Sequence, residues 1–143
     1  MKIYQAIKYK KKLQSEISEL WNRFTQNNSI IKGNTRNYDP SEVLKEIRMK
    51  TDELVNLKVA LQKANKPIYS TIFNLAELKS LASYIKNTNT TSGITNRYDD
   101  VQIEYEAQFS KNDIDNLVKV TQEEIGRLQE ELDQFNYKTE IKL

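Results

Sequence analysis

Residues 110–136 run SKNDIDNLVKVTQEEIGRLQEELDQFN. Within them Ile114, Leu117, Val118, Thr121, Ile125, Leu128, Leu132 and Phe135 recur at steps of three and four, with charged and amide side chains between. That spacing puts one ribbon of apolar groups along a helix, the seam by which a helix packs on another helix. Ser110 followed by Asp113 supplies the start, because hydroxyl and carboxylate can each accept a backbone N–H that the first turn leaves free. The stretch predicts a helix over 111–136.

Outward from it, the period changes on both sides. Val101, Ile103, Tyr105, Ala107 and Phe109 alternate with Gln102, Glu104, Glu106 and Gln108, the pattern of a strand with one wet face. The tail 137–143 (Tyr-Lys-Thr-Glu-Ile-Lys-Leu) alternates again. A single strand cannot satisfy its own backbone groups, so 101–109 is expected to pair with 137–143, in its own chain or in a neighbour's. Residues 87–97 read as a polar loop.

Further toward the N-terminus, Asp39 and Pro40 mark a second helix start. A carboxylate at the N-cap accepts free N–H groups, and proline at the first helical position has no N–H to leave unpaired. The ribbon Val43, Ile47, Leu54, Leu57, Leu61, Ala64 follows. Pro67 removes one helical hydrogen bond, yet Ile47, Leu54, Leu61, Ile68, Leu75 and Ala82 stay seven residues apart across it. Conserved phase predicts a helix over 40–86 kinked near Pro67. Residues 27–38 read as a connector. Ahead of it Ile3, Ile7, Leu13, Ile17, Leu20, Trp21 and Phe24 predict a first helix over 2–27, its ribbon interrupted at Lys10.

The fold class expected is therefore mainly α: an elongated antiparallel helical coiled-coil bundle, one domain over 1–143, with a small β element from 101–109 and 137–143. Hydrophobic content of 38% and a mean hydropathy of −0.74 suit helices buried along one ribbon. Ribbons of that length leave apolar surface that a lone subunit does not cover, which predicts a homo-oligomer.

Composition also bounds the chemistry. There is no His and no Cys. Thiol nucleophiles, thiolate or imidazole metal ligands and the usual neutral-pH base are all missing. Carboxylates, Lys, Tyr and hydroxyls remain, with no cluster that suggests a perturbed catalytic group. The reading is a protein that is not an enzyme and takes no cofactor. The first residues lack the apolar core of a signal peptide, and no run reaches the length of a membrane span. A cytoplasmic location is the expectation.

Charge is unevenly placed. Residues 1–50 hold 11 basic and 5 acidic side chains (net +6), residues 51–97 hold 6 and 3 (net +3), and residues 98–143 hold 5 and 12 (net −7). Lys8, Lys10, Lys11 and Lys12 beside Tyr4 and Tyr9 could follow a phosphate backbone, but without arginine forks or a reading motif the pattern is non-specific and argues against a nucleic-acid partner. The simpler account is that the basic half faces the acidic one. Asn65, Thr71 and Thr121 fall at or beside seam positions, where polar groups usually set register. Trp21 and Phe24 read as core rather than as a lipid anchor, so a membrane partner is not expected.

Two pairs stand out as candidate ligand contacts. Arg97 and Tyr98 follow the polar loop, and Arg36 and Tyr38 lie in the first connector. A guanidinium fork beside an aromatic face can hold the phosphate and base of a nucleotide-like anion. Tyr105, on the expected strand, joins them.

The order of elements also resembles the septicolysin-like family of small helical bacterial and phage proteins. The matching residues are Ala64-Asn65 in the middle, Arg97-Tyr98 before the strand, and Asn136-Tyr137-Lys138-Thr139-Glu140-Ile141 at the end. The likeness spans nearly the whole chain through short motifs. Lys66-Pro67 stands where members carry a Thr-Asn pair. The resemblance implies a helical oligomer, and the family name implies a membrane-active toxin. The leading expectation is a non-enzymatic oligomeric binding protein sequestering a small anionic, nucleotide-like ligand at subunit interfaces. A structural or protein-interaction coiled coil is the alternative.

Overall fold

Four helices and a two-stranded antiparallel sheet make up the computed structural model, which describes residues 1–143. The helices are α1 (Ile3–Asn28), α2 (Pro40–Ala64), α3 (Tyr69–Lys86) and α4 (Lys111–Lys138). The strands are β1 (Gly93–Asn96) and β2 (Gln102–Tyr105). The protein is thus mainly α with a small β element, as the hydropathy periods require. The single domain expected over 1–143 is built as two compact units: Met1–Pro67 with Gln134–Leu143, and Ile68–Asp133.

Helix starts follow the local chemistry. Asp39 Oδ1 accepts the Ser41 N–H at 2.9 Å ahead of Pro40. Ser110 and Asp113 cap each other: the Ser110 N–H donates to Asp113 Oδ2 at 2.9 Å, and the Asp113 N–H donates to Ser110 Oγ at 3.1 Å. α1 is unbroken through Lys10. The segment expected as one kinked helix over 40–86 is interrupted: α-helical bonding stops at Ala64, a 3-10 turn spans Lys66–Ile68, and α3 begins at Tyr69. Pro67 sits inside that turn, where its missing N–H breaks the α ladder for one turn.

In the first unit α1 and α2 pack antiparallel. Ile3, Ala6 and Leu13 meet Leu57, Ala60 and Leu61 at one end, and Leu20 meets Val43 and Ile47 at the other. Ile3 and Leu13 are completely buried. Ile141 closes the same cluster, with Phe135 packed against it. The tail is held there by backbone bonds: the Ile3 N–H donates to Thr139 O at 3.0 Å and the Ile141 N–H to Met1 O at 2.9 Å. Lys2 adds an ion pair to Glu140 at 3.0 Å and donates to Lys138 O at 2.9 Å, satisfying one free carbonyl of the last turn of α4.

In the second unit Leu75 and Ala82 of α3 pack on Ile125 of α4, with Leu78, Leu128 and Leu132 around them. The polar seam residues are mostly satisfied locally. Thr121 Oγ1 donates to Leu117 O at 2.8 Å, and Thr71 Oγ1 to Glu131 Oε1 at 3.3 Å. Asn65 Oδ1, by contrast, is buried without a hydrogen-bond partner. Leu117, counted above as part of the inner ribbon, is exposed, while Ile114, Thr121 and Ile125 are buried.

The β element differs from the expectation in extent, partner and position. Strand β2 spans only 102–105 of the predicted 101–109, and it pairs with β1 rather than with the tail. Gly93 stands opposite Tyr105, Ile94 opposite Glu104, Thr95 opposite Ile103 and Asn96 opposite Gln102. The polar loop read over 87–97 therefore contains a strand. The tail is not a strand either: α4 continues through Lys138, and Glu140 makes a single antiparallel bridge with Lys2. A hairpin wins because it closes its backbone bonds across three intervening residues, whereas the tail is already committed to the N-terminus.

Leu13→Ala opens a cavity where α1, α2 and the tail converge. It is expected to cost about 2–5 kcal/mol in urea unfolding. The same change at exposed Leu81 is expected to cost less than about 0.5 kcal/mol.

Candidate functional site

The β1–β2 hairpin places Arg97 and Tyr98 at its tip. The Asp100 N–H donates to Arg97 O at 3.1 Å and the Arg97 N–H to Val101 O at 2.9 Å, so Tyr98, Asp99 and Asp100 form a three-residue connection. Asp100 carries the left-handed backbone (φ 58°) that such a connection needs, a conformation short polar side chains tolerate. Asp99 accepts the Val101 N–H at 3.4 Å and faces the Arg97 guanidinium at the same distance. These are long bonds between exposed groups, and Arg97 is held only loosely. The Tyr98 ring is fully exposed and touches no other ring. Tyr105 lies at the opposite end of the hairpin, across from Gly93, and shares a face with Thr95 and Ile103. The hairpin thus joins Arg97 to Tyr98 at one point and sets Tyr105 apart.

Arg36 and Tyr38 are used differently. Arg36 Nε donates to Asn27 O at 2.9 Å and Nη2 to Asn28 O at 3.2 Å. Its guanidinium caps the C-terminus of α1, where free carbonyls and the negative end of the helix dipole favour a cation. Tyr38 lies under the Arg23 guanidinium, 4.8 Å from ring centre to carbon. Both belong to the first unit, whereas Arg97, Tyr98 and Tyr105 belong to the second. A connector arginine nine residues beyond Asn27 has the reach of a helix cap.

A groove missed by motif reasoning runs along α2 in the first unit. Tyr9, Met49, Asp52, Glu53, Asn56, Leu57, Val59, Ala60, Lys63, Lys142 and Leu143 line it around a volume of about 710 Å³. Its floor is apolar, with Asp52 and Glu53 toward one end and Lys63 toward the other. The Tyr9 hydroxyl donates to the Glu53 carboxylate, tying α1 to α2. That bond, then partial burial, then the neighbouring negative charge of Glu53, hold the Tyr9 hydroxyl above its ordinary pKa. One turn along, Lys50 Nζ donates to Glu16 Oε2 at 2.9 Å, and Lys12 lies 3.7 Å from the same carboxylate. The Lys50 bond holds the Glu16 carboxyl below its usual range and raises Lys50 in turn. The side chains of Asp52, Asn56 and Lys63 make no hydrogen bond or ion pair in the chain. The signal that could have found this groove was the pair Met49 and Val59 on α2, out of phase with its inner ribbon.

With the geometry in place, comparison with known proteins adds the fold. No family model matches the chain, and none of the curated proteins does. The chain is similar to a solved crystal structure of a functionally unknown conserved protein from Corynebacterium diphtheriae, at 19% identity over 99% of each chain with a TM-score of 0.76. At that identity the likeness establishes a shared arrangement of the backbone.

Two outcomes follow from the ion pairs. Glu16 is depressed in the folded state, so its contribution is complete above its unfolded pKa of about 4.3 and is lost as pH falls through the folded value. Lys50 is raised, so its contribution is complete below about 10.4 and is lost as pH rises through the folded value. Urea midpoints measured from pH 3 to 11 are expected to fall at both ends. Glu16→Gln should flatten both limbs, and a midpoint profile unchanged by it would refute the pairing. Arg36→Ala should lower stability by about 1 kcal/mol through α1. Arg97→Ala should leave the urea midpoint where it is.

Proposed function

We propose that the chain is a non-enzymatic, self-associating helical protein that sequesters a small anionic, nucleotide-like ligand where the hairpin tip of one copy meets a neighbouring copy. The observation that carries this reading is the Arg97–Tyr98 tip. A guanidinium fork and an aromatic face stand side by side, and the chain itself makes almost no use of either. The fork matches a phosphate, and the ring offers a base a surface to stack on.

Charge argues for a site completed by a second copy. At the tip Arg97 stands with Asp99 and Asp100, so the hairpin alone is net negative and does not attract an anion. The first 50 residues carry a net +6 and include Lys8, Lys10, Lys11 and Lys12. Such a surface from a neighbour supplies the missing positive charge, and phosphate displaces Asp99 from Arg97. Arg36 and Tyr38 support the fold in this reading, and Tyr105 lies outside the first contact shell of the ligand. A nucleotide-like ligand puts this activity in the cytoplasm.

A second reading, a self-assembling or protein-interaction coiled coil without a small ligand, draws on a different observation. Phe73, Leu81 and Tyr84 on α3, and Leu117 and Val120 on α4, are apolar and exposed. The toxin reading implied by the resemblance to septicolysins has less support, since no helix is long and apolar enough to cross a membrane.

Native mass spectrometry with a panel of mono-, di- and cyclic nucleotides discriminates these readings. The ligand reading expects an adduct on an oligomer, weakened at least about tenfold by Arg97→Ala and by Tyr98→Ala and untouched by Arg36→Ala at a temperature where that variant stays folded. Oligomers that take up no nucleotide would leave the assembly reading standing alone. Leakage from liposomes is expected to be absent.

A further inference from the structure

We propose that the outer face of α2 is the surface on which two copies of this chain meet, with their α2 helices antiparallel about a two-fold axis. This rests on the self-association proposed above and names its face.

α2 is apolar on two sides. Its inner side, Val43, Ile47, Leu57, Ala60 and Leu61, is buried against α1 and the tail. Its outer side still leaves Met49 72%, Val55 51% and Val59 47% exposed. An amphipathic surface helix needs one apolar face, so a second one asks for a second cover. The polar groups around that outer face say what the cover is. Asp52 precedes the apolar centre by one turn and Lys63 follows it by one turn, and neither side chain is paired within the chain. They are 11 residues apart in sequence, about 16 Å along the helix.

Turned end for end, the same helix presents Lys63 where Asp52 stands and Asp52 where Lys63 stands. In that register Asn56 faces Val59 of the other copy. Both cross-pairs of charge are then satisfied by one rotation, which is the condition for an isologous interface. A parallel arrangement would set Asp52 against Asp52 and Lys63 against Lys63, and a neutral apolar partner would strand both charges. Tyr9 and Leu143 flank α2 on one side of this face, and Trp21 flanks it on the other.

Charge exchange tests this directly by sedimentation velocity, with circular dichroism confirming that each variant keeps the helix content of the parent. The parent chain is expected to dimerise or to form a larger even-numbered assembly. Asp52→Lys alone and Lys63→Asp alone should each weaken association at least about tenfold. The double variant should recover it. So should an equimolar mixture of the two single variants, because one then carries two lysines and the other two aspartates at the paired positions. A monomeric parent chain would overturn the proposal together with the assembly on which it rests. An oligomer indifferent to both single exchanges, or single variants that fail to rescue each other, would overturn this face alone and leave nucleotide binding at the hairpin to be judged by the Arg97 variant.

Discussion

The antiparallel seam between α1 and α2 is the constraint on which the rest depends. Ile3, Ala6 and Leu13 are sealed on one side of it, and Leu57, Ala60 and Leu61 on the other. Burying a large aliphatic side chain is worth about 1.5–3 kcal/mol, and most of that in the first unit is gathered on this line. Everything else there is fixed by reference to it. Glu16 can reach Lys50, and Tyr9 can reach Glu53, because the two helices run in opposite directions in this register. The tail finds a place for Ile141 only because the seam leaves a gap at the start of α1.

Burial by a single ribbon also explains what stays outside. A pair of helices has a thin core, so residues a quarter-turn off the seam remain wet. α2 carries enough apolar residues for two faces, and the chain covers one. α3 and α4 repeat the pattern at smaller scale: Leu75, Ala82 and Ile125 are buried, and Phe73, Leu81 and Val120 are not. Apolar positions therefore remain on the surface of a chain whose mean hydropathy is −0.74.

The helices were legible in the sequence because their signals are strong and local. The Asp39-Pro40 and Ser110–Asp113 starts act within a few residues of where they stand, and the three-four period integrates over many turns. The hairpin partner was not legible, because β1 is four residues long with the single large apolar group Ile94. Its connection also lacks the Asn-Gly or Asp-Gly pair that usually marks a tight turn; Asp100 adopts the left-handed backbone instead. Alternation in 137–143 was a misleading cue: Ile141 is buried by α1 and α2, not by strand neighbours. For the candidate site, the adjacency of Arg97 and Tyr98 was readable directly, since neighbours in sequence on a tight connection stay neighbours in space. The role of Arg36 was not, because it depends on where the carbonyls of Asn27 and Asn28 end up.

The clasp between Lys2 and Glu140 has a consequence for how the molecule comes into being. The first unit is assembled from both ends of the chain, and Ile3 has its full cover only once Ile141 arrives. During synthesis the α1–α2 hairpin is made early, and the contiguous segment that forms the second unit is translated before the clasp can shut. Until then Ile3 lacks the cover that Ile141 supplies. Closing the clasp is a long-range event, the kind of contact a polypeptide makes slowly.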